Sequence, residues 1–147
     1  MAFCERAELE DYVLAAYLDK ADEINPGCVA RHIDQVGEEI EGALLQGGYD
    51  LPLPSVPGKV THINAVISAY RSIGNITSLM ASEGSTGNEW IPLQTQYKEA
   101  LKTLAAIREG KVMLFPEDAG GDVAPDDDAI MVEAPEKIWT DDVLSRF

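Results

Sequence analysis

Apolar side chains recur along this chain at steps of three and four residues, and each such run predicts one buried helix face. Leu9, Tyr12, Val13, Ala16 and Tyr17 form the first run and predict a helix over residues 7–20. Asn25 and Pro26 follow as an N-cap and a first-turn proline, a pairing that suits a helix start because that turn has amides to spare. The second helix carries Val29, Ile33, Val36, Ile40 and Leu44 on one stripe. It stops at Gly47-Gly48, where a residue without a side chain can take the left-handed conformation that closes a helix. Val60, Ile63, Val66, Ile67, Tyr70, Ile73, Ile76 and Met80 make the longest run, a third helix opened by Pro57. A small-residue loop over 83–88 separates it from a fourth helix with Pro92 in its first turn. There Leu93, Tyr97, Ala100, Leu101, Leu104 and Ile107 face inward, and Gly110 is the stop.

Between the second and third helices, Pro52, Pro54 and Pro57 each hold the preceding residue out of helical conformation, so residues 49–57 predict an extended strap. Tyr49, Leu51 and Leu53 then share one face, which either seals the chain's own bundle or touches an adjacent subunit. Four helices with short connections predict an all-α antiparallel bundle over residues 1–115. Tyr12, Tyr17, Tyr70, Trp90 and Tyr97 lie on or beside the stripes and read as core.

Beyond residue 115 the pattern changes. Residues 116–129 are rich in Gly, Pro, Asp and Ala with little to bury, and predict an extended linker swollen by its own charge. Large apolar groups then return as Ile138, Trp139, Leu144 and Phe147, which a free terminus in water has no use for, so this end predicts an anchor on its own body or on a neighbour. About 15 residues at roughly 3.3 Å each reach some 50 Å, enough for either.

Charge sharpens the division between body and tail. The 147 residues carry a formal net charge of -15. Residues 1–115 hold 16 acids and 9 bases, and residues 116–147 hold 10 acids and 2 bases, so the tail carries more than half of the excess. Such a chain is repelled by nucleic acid, whose affinity for proteins comes from Lys and Arg neutralising phosphates. Cys4 and Cys28 are too few for a disulfide framework and no secretory leader precedes them, which predicts a reduced intracellular product. No apolar stretch is long enough to predict a membrane span.

Candidate chemistry is sparse. His32 with Asp34, Glu38 and Glu39 invites a metal, but Val29 and Lys59 stand three residues before His32 and His62, where a di-iron bundle places glutamates. Asp126, Asp127 and Asp128 lack the alternating ligands of a calcium loop and read as a solubilising run. Residues 84–87 resemble a phosphate cradle, yet no Lys follows and Glu89 would repel phosphate. Neither cysteine has a histidine nearby in sequence to make it a nucleophile. No enzyme, metal or cofactor is predicted.

Five ordered blocks carry a resemblance instead. Glu39-Ile40-Glu41-Gly42 leads to Gly48-Tyr49-Asp50-Leu51-Pro52-Leu53 and Val56-Pro57. Ala69-Tyr70-Arg71 comes next, then Gly110-Lys111-Val112 with Leu114, and last Ile138-Trp139-Thr140-Asp141-Asp142 with Leu144 and Phe147. Together they resemble the small head-tail connector proteins of Mu-like phages and prophages. Cys4 stands where such proteins often have a hydroxyl residue capping the first helix, and Asp141 where a basic residue is common. The resemblance implies a virion part located in the neck and made in the host cytoplasm. It implies a homo-oligomeric ring matching a twelve-fold portal, with the portal protein and the next neck or tail-completion protein as partners. DNA is then passing cargo, and an acidic lumen would repel its phosphates over the roughly 8 Å that physiological salt allows. The strap residues Tyr49, Leu51 and Leu53 and the tail residues Ile138, Trp139, Leu144 and Phe147 are the candidate interface. The alternative is an acidic DNA mimic that inhibits a host DNA-binding protein, although mimicry wants its charge on a folded face and half of it lies on the tail.

Overall fold

The computed structural model describes residues 2–82 and 90–115, with the side chains of 75 and 77–82 outside that description. The described residues form five helices and no strand: α1 (Arg6–Leu9), α2 (Ala15–Ile24), α3 (Cys28–Gln46), α4 (Gly58–Ser82) and α5 (Ile91–Arg108). The fold is an all-α bundle. Its centre is α4, which packs against each of the other four helices. Val29, Val36, Ile40 and Leu44 of α3, Val60, Ile63, Ile67, Ile73 and Ile76 of α4, and Ile107 of α5 are almost fully buried together. At roughly 1.5–3 kcal/mol for each buried aliphatic side chain, this three-helix seam holds the body together.

The long stripes therefore lie where their spacing puts them, while the predicted first helix is two pieces. Residues 10–13 turn, and Leu14 is extended at φ -56° and ψ 137° before α2 begins. The interruption rotates the face that follows. Ala16 is exposed, and Leu18 and Ala21 are buried in its place, so α1 and α2 each reach the α3–α4 pair at their own angle. One extended residue is invisible to a periodicity that continues across it.

The start of α3 differs as well. Asn25 is the C-cap of α2, and Gly27, at φ 72°, is the residue that turns into α3. The amide of Val29 in the first turn donates to Asp22 Oδ1 at 3.1 Å, so a carboxylate from the preceding helix caps the next one. At the other end of the chain's order, Leu101 is about one-third exposed, on the outer side of α5, while Leu93, Ala100, Leu104 and Ile107 face the core. The N-cap of α1 is Glu5, whose amide donates to Glu8 Oε2 at 2.6 Å, and neighbouring Cys4 is buried in the core. Met80, the loop over 83–88 with its phosphate-cradle motif, and the whole tail from 116 lie outside the described residues or side chains.

Candidate interaction site

Helices α3 and α5 end side by side, and each closes in the same way. Gly48 takes φ 89°, and the amides of Gly48 and Tyr49 donate back to the carbonyls of Leu45 and Leu44. Gly110 takes φ 69°, and the amides of Gly110 and Lys111 donate back to Ile107 and Ala106. Both are the paired closing bonds of a left-handed helix cap, which satisfy carbonyls that the helix itself leaves open. Gly47 has a different task. It stays helical at φ -75°, and the carbonyl oxygen of Ile107 lies too close for a Cβ there to fit. The two helix ends touch through backbone.

Tyr49 joins these ends. Its hydroxyl donates to the Val112 carbonyl at 2.8 Å and accepts from the Leu114 amide at 3.1 Å, using both its donor and an acceptor lone pair. Its ring meets Phe115 edge-on at 6.4 Å. The strap thus begins by pinning the segment that leaves α5. Tyr49, Leu51 and Leu53 alternate with exposed Asp50, Pro52 and Pro54, and all three pack half-buried on the core of their own chain. Val56, 45% exposed, is the apolar strap residue that faces outward. Ile138, Trp139, Leu144 and Phe147 lie outside the described residues.

The groups considered for chemistry are dispersed. His32 Nδ1 lies 3.1 Å from Ser72 Oγ, on the side of α3 that faces α4. Glu39 takes a two-toothed grip from Arg71 at 2.6 and 3.0 Å. Among the described residues no three His, Cys, Asp or Glu side chains converge on a point that could hold a metal. Burial, with neighbouring Arg71 and Arg31, pushes the His32 pKa down and favours neutral imidazole. Burial first, then Glu8, pushes the Cys4 thiol up to about 12, and burial also raises Cys28, with Asp22 adding to it. Thiols held protonated are poor nucleophiles. His62 Nδ1 lies 2.7 Å from the Tyr12 hydroxyl, beside a shallow cleft of about 270 Å³.

Aromatic contacts tie helices together. Tyr17 meets Trp90 edge-on at 5.1 Å, and Tyr70 stacks on Tyr97 at 4.1 Å, next to the Arg71–Glu39 pair. These link α2, α4 and α5 at half-buried positions, so the aromatics read as core from sequence pack against its edge and not within it. Among the described residues no helix is long and apolar enough to cross a membrane.

A protein-family model described as Bacteriophage Mu, Gp36 matches residues 3–133. No curated protein and no solved structure matches the chain.

Proposed function

From the premise that the chain belongs to the bacteriophage Mu Gp36 family, we propose that it is a structural head-tail connector that forms a ring below the portal. The observation that carries this reading is the reach of the family match, which takes in the whole bundle, the strap and the first part of the tail. The role is mechanical and not catalytic: a rigid helical body, fixed at one end by the Tyr49 clamp, presents its flanks to neighbours. Subunits repeating head-to-tail around an axis make heterologous contacts that close when the rotation fits. The acidic surplus works against passing DNA adhering, because affinity for phosphates comes from Lys and Arg, and here 26 acids outweigh 11 bases. DNA mimicry is the weaker reading, since α5 turns lysines outward where a mimic needs carboxylates.

The test is purified protein mixed with portal and viewed by electron microscopy. An added ring beneath the portal supports the assignment, and a portal that stays bare at saturating protein overturns it. Removing residues 136–147 should leave a folded helical body but abolish attachment, and undiminished ring formation would remove the tail's anchoring role.

A further inference from the structure

The body carries net negative charge, yet that charge is sorted by helix. On α5, Lys98, Lys102 and Arg108 stand against a single acid, Glu99, and all three bases are exposed with no ionic partner among the described residues. Lys98 and Lys102 share one face with Leu101 and Ala105, which are exposed between and above them. On α3, Asp34 and Glu38 stand one turn apart on an exposed face that also carries Ala30 and Leu45, the latter 59% exposed. These two acids likewise have no ionic partner among the described residues. The pitch of the two rows is the same, about 6 Å for a step of four residues, so two helices laid side by side can match both pairs at once.

A second feature lies on the acidic side. Ala30 and Asp34 border a cleft of about 310 Å³ whose floor is Val29 and Ile33. Glu5 and Asp22 line it as well, and its one cation, Arg6, is already engaged by Asp22 at 2.7 Å and by Asp19. An apolar floor under a surplus of carboxylates fits a long side chain that buries a hydrocarbon stem and keeps a cationic head at the rim. The chain has that group in the opposing row.

Resting on the ring reading above, we infer that neighbouring subunits join by laying the basic face of α5, at Lys98 and Lys102, on the acidic face of α3, at Asp34 and Glu38. A lysine of that row enters the cleft behind Asp34. The occupant is a second copy of this chain, because the two rows are opposite in sign and equal in pitch, each has exposed apolar residues beside it, and one copy offers each row once. That is the arithmetic of a heterologous, head-to-tail contact. Exposed ion pairs contribute little affinity singly, so the rows set register and exclude wrong partners while apolar contacts and the tail supply the rest.

Charge swapping tests it on the full-length chain assembling on portal. One variant carries Asp34→Lys with Glu38→Lys, and the other carries Lys98→Glu with Lys102→Glu. Every altered side chain is exposed, and circular dichroism is used to check that each variant folds. Each variant alone should need ~100-fold more protein to form a ring, because like charges then face each other. An equal mixture should recover wild-type assembly, since each α3 row again meets an opposite α5 row, and the fourfold variant should recover it too. Wild-type rings that neither variant disturbs overturn the pairing and leave the connector assignment standing. The pairing is overturned in the same way if only one variant fails, or if the mixture stays dispersed, since the affected row then binds portal or another partner. Wild-type protein that never adds a ring overturns the connector assignment, and the pairing with it.

Discussion

Where α3 and α5 end together, the Ile107 carbonyl occupies the space a Gly47 side chain would need, and Tyr49 spends both its donor and an acceptor on backbone groups of residues 112 and 114. Where α3 crosses α4, the buried residues Asn64, Ser68 and Ser72 make a polar row in which the Asn64 Nδ2 amide has no partner among the described residues. The first region is fixed by shape at the level of backbone atoms. The second is a run of hydrogen bonds with one donor unmatched. The end where the strap leaves is thus held by direct backbone contact, while the middle of the α3–α4 seam keeps one buried donor unpaired.

Gly47→Ala is the most direct way to break the first region. The added methyl overlaps a backbone oxygen, which cannot rotate away as a side chain tip can, so α3 and α5 must part. A loss of about 3 kcal/mol is expected, and a fall in Tm on the order of 10 °C, read by thermal denaturation of the far-ultraviolet circular dichroism signal. Gly42 in the same helix is the control. Nothing lies within 4 Å of its would-be Cβ, and Gly42→Ala should raise stability by about 0.5–1 kcal/mol, because alanine has the better helix propensity. Equal effects at the two glycines would show that the helix ends do not meet as closely as described.

Tyr49→Phe probes the same end with no change in packing shape. It leaves the Val112 carbonyl and the Leu114 amide without their partner in a part-buried place, and about 1–2 kcal/mol should be lost. Amide exchange should also quicken at residue 114, a local readout that a general loss of stability would not single out.

The sequence shows this end in outline and misses its mechanism. A period of three and four residues places Ile33, Val36, Ile40 and Leu44 on one stripe, and all of them are buried. Paired glycines mark a stop, but pattern does not tell which glycine is left-handed and which is bare because another helix's carbonyl sits against it. That distinction depends on a residue 60 positions further on, Ile107 against Gly47. The alternation of Tyr49 with prolines places it on the inward face of the strap, whereas its two hydrogen bonds join positions 63 and 65 residues apart and have no local signature. Leu14 fails in the opposite way: its neighbours keep helical spacing through a break at its one extended residue. As bare i, i+4 pairs on α3 and α5, the charge rows look like any solvated helix face. Only the fold shows that they are separate outer surfaces with a cleft beside one of them.

In the polar seam, His32 gives a smaller effect with a defined pH dependence. Its folded pKa lies below the ordinary 6.5, because burial and then Arg71 and Arg31 disfavour the cation. As pH falls below that value the unfolded chain takes up a proton that the folded chain resists, so stability is full above about 6.5 and declines toward the lowered folded pKa. His32→Gln should flatten the decline between pH 7 and 5 in urea midpoints, while the wild type slopes downward. A wild-type midpoint that rises on acidification would contradict the assigned sign.

Asn64→Ala should have the least effect, although Asn64 is completely buried. Ser68 Oγ donates to Asn64 Oδ1 at 3.0 Å and lies 3.4 Å from the His32 carbonyl, and one hydroxyl proton cannot serve both acceptors well. Removing the carboxamide frees that proton for His32 and eliminates the unpartnered Nδ2, whose desolvation is uncompensated. Against this gain stands a small buried cavity, at about 24 cal/mol for each Å³ that does not collapse. The two terms nearly cancel, and the unfolding free energy from urea titration should change by less than about 1 kcal/mol in either direction. Ser68→Ala should cost more than Asn64→Ala, because it leaves the Asn64 carboxamide buried and takes away its one partner. The reverse order would mean that Asn64, and not the hydroxyl between them, is what holds α3 to α4 at this level.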